Sequence, residues 1–345
     1  MAKPASSRSL SAEKTEIRFA EPFRISGHVF EAMRSVVVRL RLGDHVGRGE
    51  AAGVYYLGDG QQQMLETIEE VRDTVEGGVD RAELQSLLPA CGARNAIDCA
   101  LWELESRKAG VAVWTLAGVP APKALVTTFT LPAAEPAALA KKIEWLGPAK
   151  AIKLKLSGDI DADAERIAVV RHARPDAWLG VDANQGFERD DLEALARLVH
   201  DHRVSLVEQP LRRGDEPSLA GWRPGVPVAA DESILGLEEL SELGHHFDVI
   251  NIKLDKCGGL TEALAMAWTA RSMGKQVMVG NMGGSTLAMA PGFVVAQLCD
   301  FVDLDGPFGH GGDPLADEIY EDGRIFVKES LWGAGNSRPA ASSRP

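Results

Sequence analysis

From residue 124 onward the chain alternates short apolar runs with stretches of helical period. The runs lie at 124–131, 151–156, 179–183, 204–207, 228–230, 249–254, 276–280 and 301–304. Between them, segments such as 135–146, 161–173, 189–200, 237–243, 261–273 and 285–298 place apolar residues three and four apart, as a helix with one buried face requires. Eight strands with seven connecting helices are repeated parallel βα units, which close into a barrel or form an open doubly wound sheet. No Gly-x-Gly-x-x-Gly follows any strand, so a dinucleotide-binding sheet loses weight and the barrel is preferred. The first third has another grammar. Residues 15–19, 35–42 and 46–51 read as an antiparallel meander, and 61–75, 81–88 and 93–109 as helices. The pattern predicts an α/β chain, with an α+β domain over 13–122 and a barrel over 123–326. Residues 1–12, and the end from 333 within a C-terminal segment 327–345, are rich in Ser, Ala, Pro and Gly without periodicity and read as disordered tails.

Within the barrel half, the run Ala-Ile-Lys-Leu-Lys-Leu at 151–156 is unusual. Alternation puts Lys153 and Lys155 on one face of a strand and Ile152, Leu154 and Leu156 on the other. Such lysines either guard an exposed edge strand or point into the sheet's enclosure, where they need anions or a chemical use. Two loops of the first third also stand out. The connection 23–34, with Gly27 and His28 at its middle, is long for a hairpin, and 53–60 exposes the adjacent Tyr55 and Tyr56.

Composition changes this picture little. Hydrophobic residues make up 45% and charged residues 25%, as in ordinary soluble proteins. The formal charge of −13, with no basic block, argues against a nucleic-acid partner. Cys91, Cys99, Cys257 and Cys299 are scattered without metal-ligand or disulfide spacing, which fits core thiols in a reducing compartment. No signal-peptide core and no run of about 18 apolar residues is present, so a cytoplasmic protein without membrane contact is expected.

A barrel requires functional side chains at the C-terminal ends of its strands. Lys155, Asp182, Glu208, Asp231 and Lys253 recur there, each about one strand and one helix after the last, and Asp303 with Asp305 follows the eighth strand. Any one of these acids alone is more simply a helix cap or a solvated loop residue. Six strand ends in phase argue otherwise. Asp182, Glu208 and Asp231 come from adjacent strands, and three converging carboxylates repel unless a cation lies among them. Oxygen-only ligation that leaves room for water and substrate suits one Mg²⁺ per site rather than zinc. Lys155 and Lys253 flank that trio on opposite sides. This arrangement suits removal of a proton α to a carboxylate, with the metal stabilising the charge and a neutral lysine taking the proton. The cation and Lys153 both favour the neutral form of Lys155, and a second lysine on the far face allows inversion.

On these residues the sequence resembles the enolase superfamily, in the muconate-lactonising subgroup. The likeness runs from about Thr15 to Phe326 and includes the stretch Gly-Ala-Arg-Asn-Ala-Ile-Asp-Cys-Ala-Leu-Trp-Glu at 92–103. It implies a (β/α)7β TIM-type barrel with an N-terminal α+β capping domain, and Lys155 and Lys253 as the acid/base pair. Cycloisomerases, o-succinylbenzoate synthases, N-acylamino-acid racemases and dipeptide epimerases share this set, so it does not fix one reaction. Asp303-Leu304-Asp305 looks like the Asp-x-Asp motif with which dipeptide epimerases hold the substrate's α-amino group, whereas an N-succinyl substrate or a muconate carries no cation for it. A dipeptide epimerase is therefore the first choice. N-acylamino-acid racemisation, another reaction on this scaffold, and a non-catalytic ligand-binding barrel remain as alternatives. The resemblance also implies Thr130 as a contact to the substrate carboxylate, and it allows a homo-oligomer. Members acting on Ala-Glu place an arginine in the first capping loop, where this chain has Ile-Ser-Gly-His at 25–28. His28 is a candidate substitute. Asn281 and Met282, in Gly-Asn-Met-Gly-Gly-Ser at 280–285, are further candidates for substrate contact, beside glycines that would enlarge the pocket. With Tyr55 and Tyr56, these departures leave room for a bulky or apolar second residue.

Overall fold

The computed structural model describes residues 8–25, 28–308 and 312–334. An antiparallel sheet of β1 (Ser9–Ile25), β2 (His28–Leu42) and β3 (His45–Ala51), in that order, opens the chain. β1 begins at Ser9, so the expected tail over 1–12 is a strand from that point, and residues 1–7 lie outside the described residues. Pairing continues to Ile25 opposite His28, with a register shift between Arg18 and Phe23. The expected long loop at 23–34 is thus a two-stranded ribbon, while its Gly27 lies outside the described residues.

Helices Gln61–Glu70, Arg72–Glu76, Arg81–Leu87 and Gly92–Ala109 follow the sheet. The last is buried on nearly every face because it is packed between sheet and barrel. Gly47 and Gly49 of β3 allow its close approach, since a Cβ there would lie 2.0 Å from the Ala100 carbonyl and 2.1 Å from that of Ala96. On its other side Asp98 accepts from the Thr261 amide and hydroxyl at 2.9 and 2.6 Å. Arg94 donates to the Cys257 and Gly258 carbonyls and pairs with Glu262. These buried charges are satisfied across the junction, as burial demands.

A two-residue strand, β4 (Leu125–Val126), precedes the barrel. Its parallel strands are β5 (Thr128–Leu131), β6 (Ala151–Lys155), β7 (Trp178–Asp182), β8 (Leu206–Glu208), β9 (Val228–Ala230), β10 (Val249–Lys253), β11 (Gln276–Gly280) and β12 (Phe301–Val302), neighbours in chain order. β13 (Tyr320–Glu321) and β14 (Arg324–Ile325) form a hairpin that pairs with β4. At the seam between β5 and β12, side chains join the strands: Thr127 Oγ1 accepts from the Leu304 amide at 3.0 Å and Thr128 Oγ1 donates to Asp303 at 2.5 Å.

Six connections are α-helical, but the seventh, between β8 and β9, has only the 3₁₀ turn Glu216–Leu219. Pro210, Pro217, Pro224 and Pro227 deny that segment the amides and backbone freedom of a helix. Outward residues such as Ile152, Leu154, Ile250 and Ile252 pack beneath the helices. Inside, Leu206, Ala229, Val249 and Met278 form an apolar layer with Trp178 and Phe301 at the strand starts. Two residues further along, the interior turns polar on or just past β8, β9, β10 and β12, at Glu208, Asp231, Asn251 and Asp303, because alternation returns every second side chain to the same face. β6 lies between β5 and β7, which removes the edge-strand reading of its lysines.

The C-terminal segment returns to the first sheet. Trp332 Nε1 donates to the Arg48 carbonyl at 2.9 Å and the Gly333 amide to Glu103 at 3.1 Å. The tail expected from 333 is therefore anchored at its start, and residues 335–345 lie outside the described residues. Among the described residues no helix is long and apolar enough to cross a membrane.

Candidate active site

The strand ends meet in one cluster. Oxygens of Asp182, Glu208 and Asp231 all lie within 4.8 Å of one another, and all three residues are buried. Four lysines surround them. Lys155 reaches Asp182 at 2.6 Å, and Lys253 reaches Asp231 at 2.6 Å from the other side. Lys153 sits between, 3.1 Å from Asp182, 2.8 Å from Glu208 and 2.9 Å from Asp303. Lys256 donates to the Asp231 side chain at 2.8 Å and to the Ile234 and Asn251 carbonyls. Gly280 makes room for Asn251 and Lys253, since a Cβ there would lie 2.8 Å from Asn251 Oδ1 and 3.0 Å from Lys253 Cε.

Electrostatics follows from the pairing. Burial opposes ionisation of Asp182 most strongly, yet Lys155 and Lys153 hold it below the ordinary carboxylate range. Lys253 and Lys256 do the same for Asp231 against its burial. Glu208 behaves oppositely: burial, and then the charge of Asp182, push it up to about 8. Lys153 and Lys253, despite burial, are raised by their carboxylate neighbours, Asp303 foremost for the first and Asp231 for the second. Glu208 thus carries both the burial cost and the charge of Asp182, with Lys153 at 2.8 Å as its ammonium partner. Three converging hard oxygens of this kind are the donor set for a divalent cation such as Mg²⁺, and they form the metal triad.

A cavity of about 1110 Å³ opens above the triad, and Lys153, Lys155, Asp231, Lys253, Asp303 and Asp305 all face it. Asp303 and Asp305 lie just past the end of β12, which is shorter than the expected 301–304. Asp303 is held below the usual range by Lys153 and the Thr128 hydroxyl against its burial. Asp305 accepts from the Thr130 amide at 2.6 Å and Asn281 Nδ2 at 3.3 Å, while burial and the charge of Asp303 push it up to about 6. Asn281 also donates to the Asp303 carbonyl at 2.8 Å.

The remaining candidates line the outer cavity. The His28 ring packs at a tilt against Phe30 and Tyr55 at 4.4 and 4.6 Å, and Tyr55 meets Tyr56 edge-on at 5.2 Å. The two tyrosines, expected to be exposed, are half-buried in this wall, and burial raises the Tyr55 hydroxyl to about 12. Met282 also borders the cavity. Its neighbours Gly283 and Gly284 adopt φ of +104° and +114°, so the backbone turn requires them whatever their effect on cavity size. Glu50 of β3 fixes this loop by accepting from the Ser285 amide at 3.0 Å.

Sequence reasoning missed several residues here. Asn251 donates to Glu208 at 2.9 Å, and Asn184 to Glu232 at 3.3 Å. Glu232 faces the cavity, and burial followed by the charge of Asp231 pushes it up to about 7. Position was the available signal: Asn184 lies two residues past Asp182, Glu232 adjoins Asp231, and Lys256 lies one helical turn past Lys253.

Two family models match the chain: Mandelate racemase / muconate lactonizing enzyme, N-terminal domain, over residues 9–118, and Enolase C-terminal domain-like over 135–328. The L-Ala-D/L-Glu epimerase of Escherichia coli is 36% identical over 288 residues, covering 83% of this chain and 89% of that protein. A hydrophobic dipeptide epimerase of Roseobacter litoralis is 34% identical, over 88% of this chain and 91% of that one. Among solved structures, a dipeptide epimerase from Methylococcus capsulatus, complexed with Mg and the dipeptide L-Arg-D-Lys, superposes with a TM-score of 0.87. It is 29% identical, and the match covers 96% of this chain and 99% of that one. The chain belongs to the enolase superfamily, in its mandelate racemase / muconate lactonizing enzyme group, and is closely related to dipeptide epimerases.

Proposed function

We propose that this isomerase converts L,L-dipeptides to L,D-dipeptides by moving the α-proton of the C-terminal residue from one face to the other. The observation that carries this reading is the pair of lysines on opposite flanks of the triad, Lys155 at Asp182 and Lys253 at Asp231, below a cavity that also holds Asp305. Asp182, Glu208 and Asp231 would hold Mg²⁺, which offsets negative charge developing on a substrate carboxylate. Lys155 removes the α-proton from one side, and Lys253 delivers a proton to the other. Lys153, tied to three carboxylates, fixes the positions of Asp182, Glu208 and Asp303. Asp305 and Asp303 take the substrate's ammonium, with Thr130 and Asn281 orienting Asp305.

The second side chain points toward the wall of His28, Phe30, Tyr55 and Tyr56, in a cavity that Met282 also lines. That wall is aromatic, and Arg34 at its edge is already paired with Glu16 at 3.0 Å. A bulky or apolar second residue fits this lining better than glutamate.

The test is an L,L-dipeptide library incubated with protein and Mg²⁺ in D₂O, followed by mass and stereochemistry. Deuterium uptake with inversion at the C-terminal residue is expected. Exchange confined to N-acylamino acids, with no dipeptide labelled, overturns the proposal.

The ammonium site should also show in the pH profile. Asp305 is ionised above about 6 and neutral below it, so dipeptide kcat/KM should fall as pH drops through about 6. In Asp305→Asn the plateau should be lower and that limb absent. An unchanged acid limb in the variant would remove Asp305 from this role.

A further inference from the structure

We infer that the enzyme selects dipeptides with a large apolar first residue, through a pocket beside Asp305 walled by Phe308, Trp145 and the helix Pro136–Trp145. The inference rests on the dipeptide reading and extends it to the amino-terminal side chain. A substrate whose ammonium is held at Asp305 has its first α-carbon one bond away, so that side chain emerges next to Asp305. The same turn supplies Phe308, whose amide donates to the Asp305 carbonyl at 2.8 Å.

Phe308 belongs to an aromatic group. Its ring lies 4.4 Å from Phe129, 4.9 Å from Trp145 and 5.5 Å from Tyr320, and the Tyr320 hydroxyl donates to the Leu304 carbonyl at 2.6 Å. Phe129 and Tyr320 hold the Phe308 ring from one side, and the cavity runs along another.

Helix Pro136–Trp145 completes the pocket in an informative way. Leu139 and Ile143 face the core, as an amphipathic helix requires. A second face, Ala137, Ala138, Lys141 and Trp145, borders the cavity. Ala138, Lys141 and Trp145 are three and four apart, with Ala137 and Lys142 beside them, so the face opposite Leu139 and Ile143 is given to the cavity. Trp145 is 56% exposed, with its ring 4.9 Å from that of Phe308 at the cavity border. Ala137 and Ala138, two turns earlier on the helix, put only small side chains on the same cavity. The long stem of Lys141 adds apolar surface while its ammonium stays in solvent. The cavity, of about 1110 Å³ in all, extends from the triad to this helix, so a side chain leaving the Asp305 end meets Phe308 and the helix.

The experiment compares Xaa-Leu and Xaa-Ala dipeptides, all L, with Xaa as Gly, Ala, Glu, Leu or Phe, using Mg²⁺-loaded protein. Leu or Phe first should give kcat/KM at least about tenfold above Ala first, in line with a few buried methylenes. Trp145→Ala and Phe308→Ala should each cut the Phe-to-Ala ratio at least fivefold. Ala138→Trp, which fills the pocket, should cut it further. A general loss of folded protein scales both substrates alike and leaves the ratio untouched, so the ratio remains decisive even if Phe308→Ala is unstable. Equal or faster turnover of Ala-first or Glu-first dipeptides, or a ratio unmoved in both Trp145→Ala and Ala138→Trp, overturns the inference while leaving dipeptide epimerisation standing. Absence of turnover with every dipeptide overturns the proposed function as well.

Discussion

Lys155→Ala and Lys253→Ala should each lower dipeptide inversion by about 10³-fold or more, and the two variants should fail differently. Removing a general acid or base typically costs about 10²–10⁴-fold, and inversion needs both. Each lysine contacts a different member of the triad, Asp182 for Lys155 and Asp231 for Lys253, so each serves one face of a substrate held between them. A variant lacking one lysine can still exchange the α-proton presented to the other. One variant should therefore exchange only the L,L epimer with D₂O, and its counterpart only the L,D epimer. Chiral analysis with mass detection reads both effects together. Near-normal inversion in either variant, or exchange of both epimers by both variants, would refute the two-base scheme. Lys153→Ala should behave otherwise. It strips an ammonium from three buried carboxylates, so a fall in Tm is expected besides lost activity.

Much of this site was legible because a barrel turns linear spacing into a ring. Residues one βα unit apart arrive at the same height, so Lys155, Asp182, Glu208, Asp231 and Lys253 could be placed together before any coordinates. Alternation supplied their direction: the partners of Ile152 and Leu154 in the outer core had to point inward. The misses share a physical cause, because they depend on contacts between segments far apart in sequence. Nothing local marks the ribbon pairing of 23–25 with 28–30, which replaced an expected loop. Nor does local composition show that Trp332 and Gly333 dock on Arg48 and Glu103, so that segment resembled a tail. The glycines at 283 and 284 were read for their small size, whereas their positive φ is what the turn demands. The absent helix between β8 and β9 was readable from its prolines and was hidden by the regularity around it.

Chelation should abolish activity, and the protein should report the loss of cation through its stability too. Asp182, Glu208 and Asp231 converge within 4.8 Å, and burial with the charge of Asp182 leaves Glu208 raised to about 8 even with Lys153 beside it. An ion that binds this trio only in the folded state stabilises that state by mass action, by about 2.7 kcal/mol at one hundred times its Kd. Treatment with EDTA should reduce dipeptide epimerisation by at least about 10³-fold, since the charge formed at the substrate carboxylate would lack its main offset. Mg²⁺ should restore turnover and raise Tm over the same concentration range. Glu208→Gln separates two roles of that residue. The amide keeps the shape and can still accept from Asn251, which donates to Glu208 at 2.9 Å, but it removes one of the three negative charges. The apoprotein should therefore hold its Tm to within a few degrees while the Mg²⁺-dependent rise shrinks or disappears. If Glu208→Gln kept the full Mg²⁺-dependent rise in Tm, Glu208 would not be a ligand, and the repulsion within the trio would need another explanation.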